Sequence, residues 1–562
     1  MQNNHGQQQD SSDEETEGPG TTSMASSSTT AFTSIEEASQ QYCHRYEHQA
    51  ATVKRPLPNT DTSSDINAEC ANKKQRSISL QYIDPSIYLT TVQRAPASHN
   101  ADCVSLESLI GDHNLELMVQ INYMIEVDFV MFKINESIRR SLRTIIYHGM
   151  RHTPAQIKAM ENATRIRYPR VTLHKVPVPG IGTHHTKAML LFYRDDTMQV
   201  VVHTANMIEQ DWRNKTQAVF STGRLPRKPQ QASTCAFERD LIEYLQYYQD
   251  HHEFTRKLSQ YDFSRVKGVL IGSVPGKFSG PDKNKWGHLR LRSVLRQQVE
   301  ISQGRLNDSE VICQVSSVGS LGKESQDWLQ GEFETSLNAH RNANHMNPTK
   351  ANLCIVYPTA ENVRMSFEGW TMGGSLPFRS TSYKKQAHYF KPLLHSWKAV
   401  KSGRERAMPH IKTFTRVTRK ENDGDYLSWF LLTSANLSKP AWGEMKSNSV
   451  FSIQSYELGV LVFPGLYEDV NDAGDHHRAF LMNKTLDDPY PEPHFTHFTG
   501  GEETGKEKGS NEQSQIQQKI NVVPIRLPYD LPLKKYDHSI DHVWLADKYF
   551  PGLDDFGNSL GM

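Results

Sequence analysis

Apolar residues fall into two kinds of stretch that succeed each other along the chain. From Leu106 to Ile121 they recur at roughly helical spacing, which predicts a helix, and Pro154 to Ala163 predicts another. Two short apolar runs, Ala188 to Phe192 and Gln199 to Thr204, read as strands, and Ile208 to Gln217 as a following helix. Leu241, Ile242 and Leu245 mark a further helix. A strand begins near Val269 and ends in the turn signal Gly272-Ser273-Val274-Pro275-Gly276. Strands alternating with helices in both halves predict α/β layering, with a boundary near Phe263 to Lys267. Order is expected from about Ser105. The stretch Met1 to about Ser77 has no hydrophobic period and is rich in Gln, Ser, Thr, Asp and Glu, so disorder is expected there. A polar insertion at about Gly500 to Gln518 reads as a mobile loop.

Length and composition add bounds. A chain of 562 residues, 37% hydrophobic and 22% charged, is expected to form two domains plus unstructured segments. No apolar run reaches the length of a membrane helix and no apolar signal segment follows Met1, so no membrane partner is expected. The formal net charge is zero. However, residues 1 to 40 hold seven acids (Asp10, Asp13, Glu14, Glu15, Glu17, Glu36 and Glu37) and no Lys or Arg, which leaves the remaining chain seven charges positive. A basic body with an acidic tail suits a phosphate-binding surface. Within the tail, Lys54-Arg55 and Lys73-Lys74-Gln75-Arg76 resemble a two-part nuclear import signal. The six cysteines form no C-x-x-C pair, and the 25 histidines include no H-E-x-x-H, so neither a metal nor another cofactor is expected.

The chemistry-bearing feature is an internal repeat. Gly182-Thr183-His184-His185-Thr186-Lys187 precedes a strand and then His203-Thr204-Ala205-Asn206. Met408-Pro409-His410-Ile411-Lys412 precedes a strand and then Thr433-Ser434-Ala435-Asn436. His to Asn spans 21 residues in the first half and 26 in the second. Residues i and i+2 of a strand share a face, so His185 projects with Lys187 and His410 with Lys412. Asn206 and Asn436, at the ends of neighbouring strands, can each bring an amide to their own His–Lys pair. Two such sets face to face enclose one phosphate: the lysines and amides hold its oxygens, and two imidazoles remain for nucleophile and acid.

These motifs, with T-S-A-N-L-S-K-x-A-W-G, S-Y-E-L-G-V-L, Ser316 to Gly322 and Gly373-Gly374-Ser375-Leu376-Pro377, resemble the tyrosyl-DNA phosphodiesterase family of the phospholipase D superfamily. The resemblance runs, with gaps, from about Ser105 to the C-terminus. It implies two similar α-β-α sandwich domains, 86–265 and 266–562, related by pseudo-twofold symmetry, behind a disordered tail, 1–85. It implies a metal-independent nuclear DNA repair hydrolase that cuts the 3′-phosphotyrosyl bond between DNA and topoisomerase I, and other 3′ adducts, with exonuclease-like action. Expected partners are DNA 3′ ends, single- or double-stranded, and a topoisomerase I-derived peptide as leaving group; the protein is expected to be a monomer. His185 would be the nucleophile that forms a phosphohistidine, and His410 the general acid and base. Lys187 and Lys412 would neutralise the phosphoryl oxygens. Glu457 would support His185 and Gln217 would support His410; because the two imidazoles must start in opposite protonation states, a carboxylate beside one and an amide beside the other would set the difference. The superfamily's general motif carries an Asp where this chain has Phe192 and Val417, a departure typical of the tyrosyl-DNA branch.

Candidate DNA contacts are Ser317 and Ser320 in a Gly-flanked turn, Ser438 and Lys439 after Asn436, and Lys385 by its motif position. Tyr123 and Trp544 are candidates for base stacking or for lining the peptide groove. Two departures alter binding. Ile181 stands where the best-known members have a base-stacking Phe, and Pro440 has no backbone N–H to offer a phosphate. Competing readings are another metal-independent nuclease or phosphodiesterase on the same scaffold, which an altered substrate range would reveal, and a non-catalytic DNA-end binder, which would lack one of the His or Lys residues. All four are present.

Overall fold

A computed structural model describes residues 78–560, apart from 230, 232, 303–304, 307, 344–349, 421–423, 471–475 and 489–517. The expected tail (to Ser77), its basic clusters and nearly all of the polar insertion lie outside the described residues. Gln75–Met562 form one compact unit.

Long apolar strands build two sheets. In the first, seven strands run in the order Ile87–Leu89, Ala218–Ser221, Met198–His203, Ala188–Tyr193, Leu115–Asn122, Arg143–His148, Val171–Lys175. The second sheet repeats that plan as Val269–Ser273, Glu457–Val462, Gly424–Thr433, Thr413–Lys420, Ser309–Gln314, Asn352–Val356, Leu394–His395. Both share the pairing pattern: four antiparallel pairings followed by two parallel ones. The second sheet continues from the start of Gly424–Thr433 through His476–Asn483 and Gln518–Ile525 to Ile78–Tyr82.

Alternation in the strands fills both faces. In Ala188–Tyr193 every residue is buried. Leu190 and Phe192 pack with Leu241 and Tyr244 of the helix Ala236–Leu245, whereas Met189 and Leu191 pack with Leu109, Val130 and Met131 of the helices Leu106–Ile110 and Val127–Lys133. The first sheet is therefore the middle layer of an α-β-α sandwich. Phe192 and Val417, where an Asp would complete the general motif, are fully buried strand residues.

Several expectations are corrected. Order begins well before Ser105, because Ile78–Tyr82 and Ile87–Leu89 each add a strand to a sheet edge. The stretch Leu106 to Ile121 is not one helix. Ser105 caps a five-residue helix, Leu106–Ile110, and Gly111 ends it; Leu115–Asn122 is then a central strand buried on both faces. Burial on both faces removes the alternation that would separate strand from helix. The helix after Thr204 covers only Glu209–Arg213. Pro154–Arg167 is a helix as expected, with Thr153 as its cap. Cys103, Cys235, Cys313 and Cys354 are free thiols. Among the described residues no helix is long and apolar enough to cross a membrane.

Two short bridges join the sheets, and both flank the repeat motifs. His184 pairs with Tyr456 and Thr216 pairs with Pro409, both in parallel. In the first bridge the His185 N–H donates to the Tyr456 carbonyl at 2.9 Å and the Tyr456 N–H to the Thr183 carbonyl at 2.9 Å. In the second, the Thr216 N–H donates to the Met408 carbonyl at 2.9 Å and the His410 N–H to the Thr216 carbonyl at 3.1 Å. Gly182 makes the first crossing possible: a Cβ there would sit 1.8 Å from the Gln454 carbonyl oxygen. Gly182→Ala is therefore expected to lower stability by about 3 kcal/mol, the upper range for overpacking, and to depress turnover by displacing His185. Thermal denaturation beside a rate measurement checks this; an unchanged midpoint would contradict the contact.

Candidate active site

Each bridge delivers a histidine from one sheet to a supporting residue from the other. Nδ1 of His185 lies 2.9 Å from the Ser434 carbonyl oxygen and 3.1 Å from Glu457 Oε2. Both are acceptors, so Nδ1 carries the hydrogen, and in the neutral ring Nε2 keeps its lone pair. The Leu458 N–H donates to Ser434 Oγ at 3.0 Å, which turns the hydroxyl proton onto Glu457 Oε2 at 2.5 Å and fixes that carboxylate.

His410 is held in the mirrored way. Nδ1 lies 2.9 Å from Gln217 Nε2, and the Gln217 Oε1 accepts from Thr204 Oγ1 at 2.7 Å. The Ala218 N–H donates to that Thr204 hydroxyl at 3.1 Å. Thr204, Gln217 and Ala218 thus occupy the places that Ser434, Glu457 and Leu458 occupy in the other half. Glu457 thus stands at His185 Nδ1 and Gln217 at His410 Nδ1.

The surroundings of His410 hold one more group. Asp211 Oδ2 lies 3.2 Å from His410 Nδ1. Asp211 also accepts from the Asn206 N–H at 2.7 Å and from Asn206 Nδ2 at 2.9 Å, and pairs with Lys215 Nζ at 2.6 Å. Asp211 is thus a second polar neighbour of His410 Nδ1 beside Gln217, in ion-pair contact, whereas Glu457 is hydrogen-bonded to His185 Nδ1. Sequence reasoning missed Asp211 because an acid in a helix's first turn reads as a solvated residue. A signal existed: Asn206 is followed by Asp211-Trp212, whereas Asn436 is followed at the same offset by Ala441-Trp442.

The two lysines are fully buried, and each ammonium donates to the backbone carbonyl of the histidine two residues before it: Lys187 Nζ to that of His185 at 2.8 Å, and Lys412 Nζ to that of His410. Burial holds the Lys187 ammonium down to about 8 and pushes Lys412 well below its ordinary value, the latter with help from Lys187. Burial lowers His185 too, with Lys187 and Lys412 pushing the same way against Glu457. His410 is lowered further by burial and by Lys412, Lys215 and Lys187, against Asp211. Each half thus feels the charges of the other. Burial and the neighbouring lysines therefore bias both imidazoles toward the neutral form.

The asparagines differ. Asn436 Oδ1 accepts from the Ser316 N–H and the Ser317 N–H, each at 3.0 Å, which fixes the amide through its oxygen. Asn206 has one amide hydrogen engaged by Asp211.

The candidate DNA contacts divide. The loop Ser316 to Ser320 runs along Leu437 and Ser438, pairing at Val318 and Leu437. Ser317 is half-buried and Ser320 exposed. Ser438 precedes the short helix Lys439–Trp442, and its hydroxyl makes no capping bond to it. Lys439 pairs with Glu444 at 3.3 Å. Lys385 is exposed beside Gln386, whose amide binds the Gly319 carbonyl and the Leu321 N–H. The Tyr123 ring lies 5.8 Å from that of His185. Trp544 is corrected as a stacking surface: it is 2% exposed, stacks on Trp370 and Phe550, and gives its N–H to the Leu376 carbonyl. It supports the Gly373–Pro377 turn from behind. Ile181 is 74% exposed, and the Pro440 carbonyl accepts from the Gln454 and Ser455 N–H groups. Among the described residues no group of three or more His, Cys, Asp or Glu is arranged to hold a metal ion.

Two buried histidines near the site have a stability consequence. Burial, then Lys187, holds His184 and His203 each down to about 3. The unfolded chain binds a proton at each below about pH 6.5 and the folded protein does not, so stability falls as pH drops. Between pH 6.5 and 5 the two groups together remove on the order of 3 kcal/mol. Denaturant unfolding at the two pH values checks this, and a flat profile would contradict it.

A profile of the family described as tyrosyl-DNA phosphodiesterase matches residues 86–537. A probable tyrosyl-DNA phosphodiesterase of Schizosaccharomyces pombe is 31% identical over 69% of this chain and 83% of its own length. Tyrosyl-DNA phosphodiesterase 1 of Arabidopsis thaliana is 36% identical over 68% of this chain, which spans 62% of that longer protein. The crystal structure of the yeast tyrosyl-DNA phosphodiesterase, 18% identical, superposes with a TM-score of 0.57 over 82% of this chain and 100% of its own, which extends the likeness to the mixed α/β fold. On the motif match over most of its length, the chain belongs to the tyrosyl-DNA phosphodiesterase family.

Proposed function

We propose that the protein hydrolyses the 3′-phosphotyrosyl bond between DNA and topoisomerase I, and other 3′ adducts, through a phosphohistidine on His185. The observation that carries the reading is the crossed support of the two histidines, each held at Nδ1 by the opposite sheet, with a buried lysine two residues after each. In the first step His185 Nε2 attacks phosphorus, the bond to the tyrosyl oxygen breaks, and His410 gives that oxygen a proton. In the second, His410 takes a proton from water, whose oxygen displaces His185 and leaves a 3′-phosphate. Lys187, Lys412 and the Asn436 amide balance charge on the oxygens not being exchanged. A bound phosphodiester adds negative charge beside His410 and favours its protonated form, against burial and the neighbouring lysines.

The repeated strand order supports two phospholipase D-like domains, 86–265 and 266–562, related by pseudo-twofold symmetry. Ser317, Ser320, Lys385, Ser438 and Lys439 are proposed to hold DNA phosphates on the side of the Ser316–Ser320 loop, and Tyr123 to pack on the terminal nucleotide. A monomer acting in the nucleus on single-stranded 3′ ends, in DNA repair, accords with this reading. The test is a single-stranded oligonucleotide bearing a 3′-phosphotyrosine, incubated with the protein in EDTA. Release of tyrosine and a 3′-phosphate end is expected; activity only on addition of a divalent metal would overturn the reading.

A further inference from the structure

Two groups compete for one nitrogen of His410, and they favour different proton positions. Gln217, with its oxygen committed to the Thr204 hydroxyl, presents an N–H donor to Nδ1 at 2.9 Å. A ring that accepts there carries its hydrogen on Nε2. That tautomer has no lone pair to take a proton from water, and it is too weak an acid to protonate a leaving group. Both working forms need Nδ1 protonated: the imidazolium that acts as acid, and the neutral ring with a free Nε2 that acts as base. An Nδ1–H requires an acceptor, and the nearest carboxylate is Asp211 Oδ2, 3.2 Å away in ion-pair contact.

We infer that Asp211 is the positioning residue for His410, accepting the Nδ1 proton through both chemical steps, while Gln217 stabilises the idle tautomer that carries its hydrogen on Nε2. This inference rests on the phosphodiesterase reading above. The bookkeeping closes: the imidazolium gives its Nε2 proton to the tyrosyl oxygen, and the ring left behind is already the Nδ1–H···Asp211 tautomer. Its Nε2 then takes a proton from water and restores the imidazolium, with no further proton source required. The logic is that of a catalytic triad's carboxylate, which holds the imidazole in its working tautomer without taking the proton.

Asp211 is built for this task. It is 1% exposed and ionised: burial opposes its charge, but His410, Lys215 and the Asn206 donors hold its carboxyl far below the ordinary range. Lys215, itself 1% exposed, occupies Oδ1 and leaves Oδ2 turned toward Asn206 and His410. The charged groups felt by His410 are Asp211, Lys412, Lys215 and Lys187, and Asp211 and Lys215 also feel the charge of Glu368. Ala441 stands at the matching offset in the second half, so the repeat has no second copy of this device, and His185 takes its carboxylate from Glu457 instead.

The test compares two oligonucleotides, one with a 3′-phosphotyrosine and one with a 3′-p-nitrophenyl phosphodiester, whose phenolate leaves without protonation. In Asp211→Asn, the single-turnover release of tyrosine is expected to fall by about 10²–10⁴-fold, the range for a lost general acid. The single-turnover burst of nitrophenolate is expected to stay within about tenfold of the parent, followed by slow hydrolysis of the adduct. In kcat/KM for the tyrosine substrate, the limb that declines toward high pH should move to lower pH. Asp211→Asn with Lys215→Met, which leaves no unpaired buried ammonium, should show the same split. Gln217→Leu should lose less than Asp211→Asn. If the parent protein releases both phenols but Asp211→Asn loses both bursts alike, or neither, or if Gln217→Leu loses more, the inference is overturned and the phosphodiesterase reading stands. If the parent releases neither phenol, that reading falls and the inference with it.

Discussion

His410→Ala is expected to stall with DNA attached to the protein. Tyrosine is a tolerable leaving group, since its hydroxyl ionises near pH 10, whereas water ionises near 15.7 and must be deprotonated as it attacks. Loss of His410 therefore slows both steps but the second more, and turnover should fall by about 10²–10⁴-fold while a covalent adduct accumulates. His185 remains competent in this variant. Its Nδ1 proton is still fixed by Ser434 and Glu457, so Nε2 still presents a lone pair. Denaturing electrophoresis of a labelled oligonucleotide would show the adduct, and peptide mapping should place it on His185. His185→Ala should give neither adduct nor turnover. An adduct on another residue would overturn the assignment of roles.

The second large effect separates activity from stability. Lys187 is fully buried and shares the site with Lys412, also fully buried, so the folded protein holds two ammonium groups near one another. Replacing either by methionine removes a cation from the phosphoryl oxygens and should lower kcat/KM by about 10²–10³-fold, comparable to the loss of one oxyanion-hole donor. Stability should move the other way. Lys187 is held down to about 8, so at pH 7 both folded and unfolded forms are protonated and the fold carries the desolvation penalty. That penalty is on the order of 3 kcal/mol, and Lys187→Met relieves it, less the bond to the His185 carbonyl. An inactive variant with a raised melting temperature is the expected outcome. A variant that loses both activity and stability would mean that Lys187 has a structural partner.

The sequence made one kind of information visible and hid another. His185, Lys187, His410 and Lys412 were legible because a strand puts i and i+2 on one face, and because the pattern occurs twice. The strands Ala188–Tyr193 and Met198–His203 were legible because they are short apolar runs ended by turns. The strand Leu115–Asn122 was not, since a central strand buried on both faces has no period of its own; the punctuation in Gly111-Asp112-His113-Asn114 was the better signal. The partners of the histidines were accessible only through the family resemblance, because each pairing joins residues from opposite sheets, and periodicity carries nothing across such a distance. Asp211 lay outside even that. Its role depends on meeting His410 at 3.2 Å, and only the fold brings the two together. Trp544 failed as a substrate contact for a similar reason: an aromatic near the C-terminus gives no sign of whether its face is covered, and Trp370 and Phe550 cover it.

Two imidazoles are proposed to act on opposite sides of one phosphorus. Crystals grown with vanadate, a short oligonucleotide and tyrosine report on that arrangement directly. Five-coordinate vanadium should bond to His185 Nε2 at one apex and to the tyrosyl oxygen at the other. His410 Nε2 should lie within hydrogen-bonding distance of that oxygen, with Lys187 and Lys412 on the equatorial oxygens. Vanadium bound away from His185, or with His410 on the same side as His185, would contradict it.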